Sequence, residues 1–264
     1  MLGRREFLQG WSVLALAASL DAQVEIPSEF DTSLESIAVA FKGATGMTMG
    51  YLSQPKSNGP HPGVVLLHDV TGLTNGIRGA ARNVATSGYA VVAPDFLSPQ
   101  GGVASLRGVD ADVRKAVAAA TSASISSQAT AALAFVRSHG GSGGRGVALV
   151  GFGWGATQAV LFAAGRTDVA ACVAFSPELA LVLPALARTS APVLAIVAGD
   201  DPTAAAVSEK IRRPHAAQVF AGTARGFHDP GETKIYKPDA AKQAWAAAMA
   251  HLDAYAKKAP GSAA

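Results

Sequence analysis

Six short apolar runs, each closing on small or polar residues, alternate along the chain with segments of helical composition. They run from Gly63 to His68, Tyr89 to Phe96, Val147 to Phe152, Ala171 to Ser176, Val193 to Gly199 and Gln218 to Gly222. Apolar runs of this length, bounded by turn residues, read as parallel strands buried on both faces. Between them, Gly76 to Ser87, Asp110 to Ser138 (one helix or two), Thr157 to Gly165, Thr203 to Arg212 and Asp239 to Lys258 have helical composition. Asp239 reads as an N-cap, because Pro238 before it discourages an earlier start. Ahead of the first run, Ser36 to Phe41 and Met47 to Gln54 flank a glycine-containing loop and read as a β-hairpin. Together these predict a three-layer α/β sandwich with right-handed crossovers, whose mostly parallel sheet carries an antiparallel N-terminal hairpin. The glycine-rich stretch from Gly140 to Gly144 is followed at once by another strand of the same pattern, so it reads as a loop within one domain.

Composition narrows the function classes. Of 264 residues 49% are hydrophobic and 16% charged, enough apolar material for a packed core. The net charge is only +3, with basic residues scattered along the chain, which gives little electrostatic drive toward nucleic acid. A small molecule is the expected partner. The single cysteine, Cys172, excludes an intrachain disulfide and a cysteine-based zinc site. At the N-terminus Arg4 and Arg5 precede an apolar run from Trp11 to Leu20, and Ala15-Leu16-Ala17 offers small residues for a signal peptidase. Residues 1–22 resemble a twin-arginine signal peptide, leaving residues 23–264 as a single domain in the periplasm or secreted. The apolar run is about ten residues, against roughly 20 for a membrane-spanning helix, so no stable span is expected once the signal is removed. Monomer and oligomer are equally compatible with the sequence.

The segment from Val147 to Thr157 is an apolar strand, a glycine-rich turn and the start of a helix. In a nucleophile elbow, small residues two before and two after the reactive residue let a strand turn sharply into a helix. Gly151 and Gly155 hold those flanking places, and the residue between them is Gly153. From about Ser36 to Tyr255 the chain resembles the dienelactone hydrolase family of α/β-hydrolases. The resemblance rests on an ordered set of motifs: His68 to Leu73, Ile77-Arg78 with Ala81-Arg82, Gly88 to Phe96, Gly151 to Ala156, Gly199 to Asp201, Gly226 to Asp229 and Ala240 to Trp245. It implies lactone or ester hydrolysis by a Cys, His and Asp triad without a cofactor.

Carried over position by position, the resemblance puts the nucleophile on Gly153, the acid on Asp201 and the histidine on Arg225. Glycine has no attacking atom, and a guanidinium with a pKa above about 12 cannot act as a general base near neutrality. Hydrolysis by the family mechanism is therefore expected to be lost or greatly weakened, with an active hydrolase using another nucleophile or base as the alternative. For that alternative, Cys172 reads as a buried strand residue, while Ser98 and Ser176 stand at strand ends without an elbow. His228 is a candidate base or a loop residue bonded to backbone.

The amides of Val70 and Trp154 would still form an oxyanion-type donor pair, with His68 and Asp69 beside them, which suits a small carboxylate. Arg225 then pairs with such a ligand or with Asp201, or stays exposed to solvent, and Trp154 covers the pocket or packs beside it. His68, Asp69, Asp201 and His228 could also be imagined around a metal, but nothing in their spacing demands one, and no metal is expected. Gly151 to Ala156 matches a dinucleotide fingerprint as well, which leaves dinucleotide binding as a minor alternative, although Glu178 lies somewhat beyond the place of a ribose-binding acid and has Pro177 beside it.

Overall fold

The structure is a computed structural model that describes residues 27–44, 46–106, 110–139, 146–204 and 210–257. Eight strands form one sheet in the order β1-β2-β4-β3-β5-β6-β7-β8. The first two, β1 (Leu34–Gly43) and β2 (Gly46–Pro55), make the predicted antiparallel hairpin, each longer than the sequence suggested. Strand β2 also runs antiparallel to β4 (Ala90–Pro94), and the remaining pairs, through β3 (Gly63–Leu67), β5 (Val147–Phe152), β6 (Val169–Phe175), β7 (Val193–Ala198) and β8 (Ala216–Phe220), are parallel.

Alternation along the strands sends successive side chains to opposite faces, and each face has its own core. Val65, Leu67, Leu149, Cys172, Ala174 and Val197 pack on one side with α3 (Ser122–His139), α4 (Trp154–Ala163) and α5 (Leu179–Leu186). Val64, Leu66, Val150, Val173 and Ile196 pack on the other with α1 (Asn75–Thr86) and α6 (Pro238–Tyr255). The family-implied three-layer α/β-hydrolase sandwich is therefore the observed fold. No helix among the described residues is long and apolar enough to cross a membrane.

Several boundaries differ from expectation for identifiable reasons. The segment Asp110 to Ser138 is two helices, α2 (Asp110–Ala118) and α3. Helix α5 is an addition to the expected elements: it carries Pro184 in its interior, and Leu179, Val182 and Leu186 bury an apolar face there. Helix α6 is capped by Lys237 with Pro238 in its first turn, not by Asp239: a proline at the first helical position has no amide to leave unpaired. The signal segment, the loop at 140–144 and residues 205–209, half of the helix expected from Thr203 to Arg212, lie outside the described residues.

Candidate active site

Strand β5 enters a turn at Gly151 to Gly155 and leaves it as α4. The turn closes only because these residues lack side chains: a Cβ on Gly151 would lie 2.6 Å from Ala156 Cα, and one on Gly155 would lie 2.5 Å from the Leu67 carbonyl oxygen. Between them Gly153 has φ 51° and ψ −113°, a conformation costly for any L residue, and serves as the N-cap of α4. A Cβ on Gly153 would fall on both carboxylate oxygens of Asp69, and 2.5 Å from its Cγ. The carboxylate of a neighbouring loop thus stands where a side chain on residue 153 would begin.

Asp69 reaches this place from the loop that follows β3. Its Oδ1 accepts the amide of Val70 at 2.7 Å and the amide of Trp154, in the first turn of α4, at 2.8 Å. These are the two donors that the sequence predicts for an external anion. They hold an internal one instead: amides at a helix N-terminus favour negative charge, and the nearest carboxylate supplies it. The same occupation bears on the dinucleotide alternative, since the Trp154 amide at the start of that helix is already engaged.

The remaining predicted residues fall into two groups. Asp69, Gly153, Ser176, Arg225 and His228 line one cavity of about 250 Å³, together with Arg114 of α2, Asp229, Glu232 and an apolar wall that includes Ile77, Phe152 and Trp245. His68 does not line it. It is fully buried, with Nδ1 donating to the Asp69 carbonyl at 2.8 Å and Nε2 accepting the Phe96 amide at 3.2 Å, so both ring nitrogens serve the backbone. Burial lowers its pKa, countered in part by the bond to Asp69 and by nearby carboxylates. The Trp154 ring stacks at 6.1 Å on His68 and meets Phe96 edge-on, so it packs beside the pocket without covering it.

Asp201 stands outside the cavity lining. Its Oδ1 accepts from the amide and hydroxyl of Thr203, and its Oδ2 lies 3.9 Å from Arg225. That ion pair is long, and the Arg225 side chain is 54% exposed, so the contact is weak and leaves the guanidinium open to the cavity. Arg225 thus lines the cavity while lying at the limit of an ion pair with Asp201, with about half of its side chain exposed. His68, Asp69, Asp201 and His228 do not converge on a point, and among the described residues no group of three or more histidine, cysteine, aspartate or glutamate side chains could hold a metal.

Two residues of the cavity lining each carry a buried polar atom with no hydrogen-bond partner among the described residues: Ser176 Oγ and His228 Nδ1. Ser176 follows β6 with φ 51°, the one non-glycine residue with positive φ among those described. His228 lies between aromatic rings, 5.2 Å from Phe152 and 4.7 Å from Phe175, and burial pushes its pKa down to about 4, keeping the ring neutral. The backbone partner expected for a loop histidine is absent from Nδ1. Cys172 and Ser98 have no part in the site: the thiol is buried in the sheet and raised to about 12 by desolvation, and the Ser98 hydroxyl donates to the Asp95 carbonyl. Arg114 and Glu232 carried no sequence signal, because their approach to the site depends on loops that no motif marks.

Residues 48–256, about four-fifths of the chain, match the profile of the dienelactone hydrolase family. The chain belongs to that family. A provisionally named carboxymethylenebutenolidase of Methylorubrum extorquens is 29% identical over 165 residues, 59% of this chain and 57% of that protein. The match thus spans a little over half of that relative's length. A provisionally named hydrolase fragment of Escherichia coli is 39% identical over 85 residues, 32% of this chain and 72% of its own. Among solved structures, a provisionally named dienelactone hydrolase of Klebsiella pneumoniae superposes with a TM-score of 0.73 at 21% identity, covering 84% of this chain and 99% of the other. A dienelactone hydrolase-like promiscuous phosphotriesterase from metagenomic libraries gives 0.67 at 22%, with the same coverage. At these identities the structural likeness speaks for the fold.

Proposed function

We propose that this dienelactone hydrolase family member is exported through a twin-arginine signal in residues 1–22, no longer hydrolyses esters or lactones through a triad, and binds a small molecule in the cavity at Asp69, Gly153 and Ser176. One observation carries the reading: the Asp69 carboxylate takes both amides that would stabilise an acyl oxyanion. An ester carbonyl entering the site would have to displace a charge-assisted pair of bonds before it could be polarised. The substitutions at the triad positions act in the same direction. Gly153 offers no nucleophile, and a guanidinium, Arg225, stands beside Asp201 where the family has its histidine.

A small carboxylate remains the favoured ligand class, on different contacts from those the sequence suggests. With the amides engaged, its partners are the guanidiniums of Arg225 and Arg114, which line the cavity and suit planar bidentate pairing. The decisive assay is turnover of 4-nitrophenyl acetate and of dienelactone by the purified mature protein. The expected result is a rate no higher than that of Asp201→Ala. Turnover that the Asp201 substitution abolishes would overturn the proposal.

A further inference from the structure

Residues 215–251 run from just before β8, through the loop that brings Arg225, His228, Asp229 and Glu232 into the cavity wall, to the end of α6, which adds Trp245. A histidine stands at each end of this segment, and the two rings bond to consecutive residues at the start of β7. His251, near the end of α6, donates from Nε2 to the Pro192 carbonyl at 3.1 Å. His215 accepts the amide of Val193 on Nδ1 at 3.3 Å. Both anchor residues are fixed by the sheet, since the Pro192 carbonyl also takes the Cys172 amide at 2.9 Å and Val193 pairs with Cys172 of β6. One wall of the cavity is thus tied at both ends to a single point, at the opposite end of the parallel strands from the cavity itself.

We propose that His215 and His251 form an acid-sensitive latch on that wall, closed while both rings are neutral and released when both are protonated. His215 is the primary element. A ring nitrogen that accepts an amide cannot keep the bond once it takes up a proton, because Nδ1–H would then face the N–H of Val193. That amide belongs to a residue only 2% exposed, where an unpaired donor is costly. His251 keeps its donor on protonation and adds repulsion between two imidazolium rings. The groups about the pair do nothing to offset that charge. Tyr255 meets the His251 ring at 4.9 Å, Arg212 turns its guanidinium to the Ile211 carbonyl, and no carboxylate among the described residues bonds to either histidine.

Both rings are only partly buried, so protons reach them without unfolding. Burial lowers the pKa of each from the ordinary 6.5, countered in part by the carbonyls of Leu186 and Pro192, and the charge of His215 lowers that of His251 further. The released segment therefore binds more protons than the latched one. The latch is complete above about pH 6.5 and is lost as pH falls below it. Its effect on a bound carboxylate rests on the function proposed above; the latch itself does not.

The test is hydrogen–deuterium exchange of the purified protein without ligand, from pH 7.5 to 5 and corrected for the intrinsic pH dependence of exchange. That range stays above the value near 4 of His228, which lies in the same segment. Protection of residues 216–255 should fall by roughly tenfold relative to strands β3 and β5, the worth of about one hydrogen bond. His215→Asn places an uncharged acceptor near the Nδ1 position and should keep protection at pH 5. Wild-type protection that follows β3 and β5 throughout the range overturns the proposal without recourse to any variant, and so does an acid loss in His215→Asn as large as that of the wild type. Failure of every small carboxylate to bind would count against the proposed function alone, because exchange is read in the absence of ligand.

Discussion

Placing a methyl group on Gly153 should unsettle two things at once, and the two can be separated. Gly153→Ala must hold φ 51° and ψ −113°, which costs about 1–3 kcal/mol for a non-glycine residue. Its Cβ must also displace the Asp69 carboxylate, 2.5 Å away at Cγ, from two amide bonds of 2.7 and 2.8 Å. Losing two charge-assisted bonds at a site open to a cavity costs about 1.5 kcal/mol each, near the low end of the usual range. The single variant should therefore lose about 4–6 kcal/mol. In an Asp69→Ala background only the conformational part remains, about 1–3 kcal/mol, which leaves a coupling of about 3 kcal/mol. Urea unfolding of the wild type, both single variants and the double variant measures that coupling, and in a domain of this size it corresponds to roughly 6–12 °C in Tm. Additivity of the two substitutions to within about 0.5 kcal/mol would show that Asp69 does not depend on the empty position at Gly153, and would refute the geometry on which the site is built.

Two further outcomes follow from the unpartnered atoms. Ser176→Ala removes a buried hydroxyl with no partner and is expected to raise stability by about 1 kcal/mol, some 2–4 °C in Tm by calorimetry, while weakening any ligand that bonds there. His228 has a folded pKa near 4 against an ordinary 6.5, so between those values the unfolded chain binds more protons and stability rises with pH. Its contribution is complete above about pH 6.5, is lost as pH falls through 4, and amounts to about 3 kcal/mol over that window. Subtracting the denaturation profile of His228→Phe from that of the wild type should isolate this slope, and identical slopes between pH 6.5 and 4 would contradict it.

The sheet and its layers could be read from the sequence because each strand is a continuous apolar run with a fixed period, and period is a local property. Val147–Phe152 was placed to the residue, and Gly63–Leu67 within one. Errors collected where two local signals conflict: Pro184 inside an apolar helix, and Pro238 opening a helix where a polar cap was expected. At the site, the members were readable and their engagements were not. Asp69, Val70, Gly153 and Trp154 were all singled out as residues of one pocket, yet the bond that organises them joins positions 85 apart in the chain. Whether two amides at a helix start face a cavity or a carboxylate depends on a side-chain rotamer and on the absence of a Cβ at Gly153. A motif specifies the second condition and not the first.

The same distinction explains why substitution at Gly153 need not have emptied the site. A residue with no side chain creates room, and buried donors beside that room do not stay unpaired, because an unsatisfied amide costs as much as a lost hydrogen bond. The nearest anion able to enter is the carboxylate of the loop that already bordered the turn. Once Asp69 has entered, its free oxygen lies where an attacking atom would otherwise stand, with a neutral buried imidazole lining the same cavity. The missing side chain at Gly153 and the engaged amides of Val70 and Trp154 are thus two sides of one arrangement, in which the Asp69 carboxylate fills the room and pairs the donors.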